Sequence, residues 1–191
     1  VHGLWDTPRI FNQLARELEE KGFIVLTPHL PHKLGRVPIG DLAQMLDTFI
    51  LKEIGEETVI DLLGFSMGGL IARVWLQDLS GAKRTNKFIS LGSPHKGTYT
   101  AQLVPSALFP GIGQMKRGSL FLQRLNWNST SLNIVKCISF FCFFDLMVFP
   151  GWEAVLPVGA SFQIPVLTHK GLISNLKGID IIVREFLKTR Q

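Results

Sequence analysis

The chain has 191 residues, 46% of them hydrophobic, enough to close one hydrophobic core. Its 20 basic and 15 acidic residues leave a net charge of +5. No Lys/Arg block or aromatic–basic alternation accompanies that excess, which argues against nucleic acid and suits at most a peripheral contact with an anionic membrane surface.

Asp6, Thr7 and Pro8 open a predicted helix that runs to about Lys21 and stops at Gly22. Residues 23–27 read as a strand and residues 28–40 as a Pro- and Gly-rich loop. Asp41 is placed to cap a helix whose buried stripe is Leu42, Met45, Leu46, Phe49 and Ile50. The run Val59-Ile60-Asp61-Leu62-Leu63 is the next strand. Helical spacing resumes at Met67, Leu70, Ile71, Val74 and Trp75, and residues 87–91 form another strand. From Thr98 to about Asn133 periodicity fades among Pro105, Pro110, Gly111, Gly113 and Gly118. Strands are predicted at 134–144 and 162–167, then a closing helix with its stripe at Ile179, Ile182, Val183 and Phe186.

This alternation predicts an α/β domain spanning residues 1–191, with a mostly parallel central sheet and helices on both faces. Residues 99–133 are expected to form an irregular lid or cap-like insertion. Cys137 and Cys142 share a strand and differ by an odd number, so they point to opposite faces, roughly 16 Å apart at ~3.3 Å per residue. Both are therefore expected to be free thiols, which favours a reducing, cytoplasmic setting. No segment has a signal-peptide layout.

The segment Gly64-Phe65-Ser66-Met67-Gly68-Gly69 joins the strand at 59–63 to a helix. So sharp a turn strains its central residue, and the flanking glycines remove Cβ atoms that would collide. It would expose the Ser66 hydroxyl at the C-terminal edge of the sheet and aim the Met67 N–H at a developing oxyanion. A serine needs a base and a group to orient that base. His2, His29, His32 and His95 lie in turns or loops, whereas His169 follows a strand near the C-terminus. Asp145 ends a strand between Ser66 and His169, and fits the acid role better than Asp61, Asp78 or Glu153. Leu4 N–H, after Gly3, is the expected second oxyanion donor. Leu108 and Phe109, in the insertion, are expected to contact substrate.

These residues resemble a small α/β-hydrolase of the bacterial triacylglycerol lipase or esterase type. The matching pieces are His2-Gly3, the elbow around Ser66, Ser93-Pro94-His95-Lys96-Gly97-Thr98, Asp145-Leu146-Met147-Val148, and His169 with Leu172. In that family the oxyanion motif ends a complete hydrophobic strand, of which only Val1 is present here, so a truncated N-terminal strand is expected. Phe65 stands where many relatives have histidine. The resemblance implies hydrolysis of small-molecule or lipid esters through an acyl-enzyme on Ser66, without metal or organic cofactor. An acyltransferase or thioesterase using the same triad, or a non-catalytic hydrolase-fold protein, is the alternative. Oligomeric state is not fixed by any motif.

Overall fold

The computed structural model of the chain describes residues 1–188. Among them, four parallel strands lie in the order β1 (Ile60–Phe65), β2 (Thr85–Leu91), β3 (Lys136–Phe141) and β4 (Ala160–Gln163). Strand alternation sorts the core into two layers. Leu62, Phe88 and Cys137 sit in register and face one cluster, while Leu63, Ile89 and Ile138 face the other. A parallel strand covered on both sides must be apolar at consecutive positions, and β2 is buried at Phe88, Ile89, Ser90 and Leu91.

The first layer contains α2 (Ile39–Ile54) and α3 (Met67–Asp78), and the second contains α1 (Asn12–Glu19), α6 (Gly171–Ser174) and α7 (Leu176–Leu187). The predicted stripe of α7 is buried at all four positions. Its C-terminal carbonyls are capped from the sheet: the buried Lys87 ammonium donates to Glu185 O (2.6 Å) and Phe186 O (3.1 Å). Helix α2 begins at Ile39, earlier than expected. Asp41 therefore lies in its first turn, where a carboxylate favours the helix dipole, instead of capping it.

Three expectations are revised. Residues 23–27 pair with no strand among the described residues. A groove of about 820 Å³ lies between them and β1, whereas a ladder needs strands packed side by side at ~4.8 Å. On that edge β1 is bonded by Val1, whose N donates to Leu63 O (2.6 Å) and whose O accepts from Phe65 N (3.0 Å). The last strand ends at Gln163: Ile164 N still donates to Phe141 O (2.8 Å), but Val166 N turns back to Ile164 O (2.8 Å) and leaves the ladder. The stretch 99–133 is more regular than its sequence suggests, holding α4 (Pro110–Gln114) and α5 (Leu120–Trp127). Elements this short show no measurable periodicity. Ser119 Oγ caps α5 by accepting from Leu122 N (3.2 Å), and Leu122 and Leu125 are buried.

Cys137 and Cys142 are both free and buried. No described helix is long and apolar enough to cross a membrane.

Candidate active site

Ser66 lies between the end of β1 and the start of α3, with φ 55° and ψ −128°, a strained conformation for a residue with a Cβ. Its N–H donates to Leu91 O of β2 (2.8 Å), which fastens the turn to the sheet. A Cβ on Gly68 would strike Val1 O, so the first residues of the chain pack directly on the start of α3.

Asp145 follows the end of β3, and its buried carboxylate is saturated. Oδ1 accepts from the Met147 and Val148 N–H groups, both at 2.8 Å, and Oδ2 lies 2.6 Å from His169 Nδ1. An acceptor on Nδ1 places the ring proton there and leaves Nε2 as the basic atom. His169 Nε2 is buried and has no hydrogen-bond partner among the described residues. Ser66 and His169 line one cavity of about 110 Å³. No hydrogen bond joins the Ser66 hydroxyl to that nitrogen; such contacts often tighten only around substrate. The Phe65 ring packs 4.7 Å from the imidazole, and Gly92, at φ +54°, leaves room on another side. A Cβ there would come within 3.0 Å of His169 Cε1.

The other histidines have different neighbours. His95 is fully buried, with Nε2 2.7 Å from Ser90 Oγ and Nδ1 3.5 Å from the Arg73 guanidinium. Burial, reinforced by Arg73, holds it well below the usual imidazole range. His2 is also buried: its Nε2 accepts from Leu30 N (3.1 Å), so the proton is on Nδ1, facing Gly3 O (3.2 Å). The His32 ring packs edge-on at 4.7 Å and that of His29 stacks at 5.9 Å. The rival acids are engaged elsewhere. Asp78 pairs with Arg124 (2.7 Å), Glu153 with Arg117 (3.4 Å), and Asp61 accepts from Asn86 (2.9 Å).

Leu4 lines the cavity, and Met67 is the first residue of α3, where an N–H has no helical acceptor. Gly3 packs against the serine: a Cβ on it would lie 2.7 Å from Ser66 Cβ. The 99–133 stretch contributes Ala101, Val104, Ile112 and Met115 to the cavity wall. Leu108 and Phe109 are not in that wall. Leu108 is 64% exposed, and Phe109 packs under the Arg36 guanidinium, 5.7 Å from its ring centre.

Three residues of this region had no role in the sequence reading. Thr98 ties down the acid loop: its Oγ1 accepts from Phe149 N (2.9 Å) and donates to Met147 O (3.1 Å). Its place in the Ser-Pro-His-Lys-Gly-Thr segment was the available signal. Arg73 is fully buried and fastens α5 to α3 by donating to Leu125 O and Asn126 Oδ1, both at 2.9 Å. Burial pulls its pKa down to about 9. Asp6, read only as part of a helix start, lines the cavity with Ser66 and His169.

The sequence profile of the alpha/beta hydrolase fold matches residues 1–129. A search of curated proteins finds no match. Among solved structures the chain is similar to a mature Bacillus licheniformis lipase, with a TM-score of 0.72 at 17% identity over 99% of this chain and 90% of that one. Aspergillus fumigatus lipase B superposes with a TM-score of 0.79 at 20% identity, covering 96% of this chain and 50% of that one. Polyneuridine aldehyde esterase gives 0.67 at 17% identity, over 98% and 97%. With the parallel sheet and the serine turn at its C-terminal edge, the matched profile places this chain in the alpha/beta hydrolase fold family.

Proposed function

We propose that the chain hydrolyses carboxylic esters through an acyl-enzyme on Ser66. The observation that carries this reading is the 2.6 Å contact between His169 Nδ1 and the buried Asp145, with His169 and Ser66 on one cavity wall. Ser66 Oγ attacks the carbonyl carbon while His169 Nε2 takes its proton. Asp145 keeps the ring in the Nδ1–H tautomer and stabilises the imidazolium. The Met67 and Leu4 N–H groups receive the oxyanion. The imidazolium then protonates the leaving alkoxide, and a water activated by His169 releases the acid. The lipase and esterase names of the structural neighbours agree with an ester or lipid substrate.

A cavity of about 110 Å³ holds a short acyl group, far below the roughly 300–1,000 Å³ typical of sites that enclose larger ligands. Residues 99–133 act in this reading as a cover whose inner wall, Val104, Ile112 and Met115, must move for longer acyl chains. The larger groove beside β1 holds no nucleophile–base pair and is not the reaction site. Hydrolysis of p-nitrophenyl esters from acetate to palmitate tests the proposal. Turnover should fall with acyl length for dissolved monomers, and Ser66→Ala should abolish it. A fluorophosphonate probe should label Ser66 in the folded protein. Unlabelled Ser66 with no turnover on any ester would favour a non-catalytic protein.

A further inference from the structure

The cavity that holds Ser66 and His169 is lined by one carboxylate, Asp6. The segment before it is held tightly. The Asp6 N–H donates to Gly3 O (3.3 Å), and Trp5 turns the chain at φ 64°. This brings the Asp6 side chain back over the serine: the point where a Gly3 Cβ would sit is 2.7 Å from Ser66 Cβ and 3.0 Å from Asp6 Oδ2. The helical turn that follows is preceded by Thr7, without a side-chain cap, and Asp6 accepts no hydrogen bond among the described residues. Burial raises its pKa, partly offset by the electrostatic pull of His169 and Lys170. A half-buried carboxylate with no donor carries a desolvation cost that the charge of an incoming cation can offset.

We infer that Asp6 reads the charge of the substrate, favouring esters with a cationic group on the alcohol side and disfavouring those with an anionic one. The side follows from the proposed reaction, on which this inference rests. His169 protonates the leaving oxygen, so the alcohol departs across the imidazole, and Asp6 shares the cavity with His169 and feels its charge. An ammonium one or two carbons from the ester oxygen would meet the carboxylate while the acyl group lies against Val104, Ile112 and Met115. A charge pair a few ångströms apart in a partly screened cleft is worth roughly a tenfold preference.

The test compares three butyrate esters: that of choline, its neutral isostere 3,3-dimethylbutyl butyrate, and the anionic 2-sulfoethyl butyrate. In the protein as it is, kcat/KM should run cationic, neutral, anionic, with about a tenfold step between the first two. Asp6→Asn should bring the cationic-to-neutral ratio close to one, and Asp6→Glu should keep most of it. Because each ratio is internal to one protein, general damage to the variant cancels. The wild-type ratio should also shrink as salt rises from about 0.02 to 0.5 M, by Debye screening, a readout that needs no variant. A ratio unchanged in Asp6→Asn, or insensitive to salt, would overturn the charge-reading role while leaving ester hydrolysis standing. Failure of the wild-type protein to hydrolyse any of the three would overturn the hydrolysis reading, and this inference with it.

Discussion

Asp145 Oδ2 and His169 Nδ1 are 2.6 Å apart although 24 residues separate them in the chain. The other carboxylate oxygen is held by the Met147 and Val148 N–H groups, so the acid cannot rotate without losing two bonds. The imidazole is clamped in turn between the Phe65 ring and Gly92. Such a fixed base leaves the serine as the one partner free to adjust.

Ser66→Ala and His169→Ala should each lower kcat for p-nitrophenyl butyrate by about 10⁴–10⁶, and the double variant should be little worse, since the groups act as a unit. Asp145→Asn should cost about 10⁴ because the ring would adopt the wrong tautomer. Burst and steady-state kinetics check both; near-parental turnover in Ser66→Ala would exclude the serine mechanism.

Gly92→Ala should remove activity while the fold survives. A Cβ there meets Leu172 Cδ1 at 2.7 Å and the imidazole at 3.0 Å, on a backbone at φ +54°. The strain is on the order of 1–3 kcal/mol, and the displaced imidazole should cost at least a hundredfold in kcat/KM. Far-UV circular dichroism alongside the assay separates the two effects; full activity would mean that the ring tolerates displacement.

Stability should fall as pH drops from about 6.5 to 4. Burial pushes His2 and His32 down to about 4 from an ordinary 6.5. Across that window the unfolded chain binds protons that the native state refuses, so stability is complete above 6.5 and lost as pH decreases. The loss should be on the order of a few kcal/mol for the pair. Thermal melts at pH 7, 5.5 and 4.5 measure it, and His32→Leu should flatten the dependence. An equally steep curve in that variant would assign the acid sensitivity to other groups.

Lys87→Met should destabilise the protein by about 1–3 kcal/mol, because it leaves the buried carbonyls at the end of α7 without their donor. Urea denaturation gives the value directly. A variant as stable as the parent would show that water or a neighbouring group replaces the ammonium.

Leu108→Ser and Phe109→Ser test the cover over the cavity. Leu108 is exposed and outside the cavity wall, so its loss should weaken activity on aggregated long-chain esters several-fold and leave short dissolved esters nearly unaffected. Phe109 is partly buried against the core and Arg36, and its loss should also lower the melting temperature. Equal losses on both substrate types at an unchanged melting temperature would argue against a cover.

The fold class was legible from the sequence because it rests on local patterns: short apolar runs at 59–63 and 87–91, the 3.6-residue stripe of α7, and a glycine-flanked serine between strand and helix. These are dictated by backbone sterics and by the burial each residue type favours, and they need no knowledge of distant contacts. Ser66, Asp145 and His169 were chosen by their order along the chain, but the contact between the last two comes from the register of β3 and the course of the loops beyond it. Tertiary structure alone decided the rest. Residues 23–27 have a strand's composition but no partner strand among the described residues, and a strand is defined by its ladder. Leu108 and Phe109 are as apolar as Ile112 and Met115, yet only the latter pair lines the cavity, with α4 packed on α5 and α5 on α3. Asp6 shows the limit most clearly. Its sequence context is that of an ordinary helix start, and its place beside Ser66 arises because the turn at Trp5 folds the first residues back over the sheet edge.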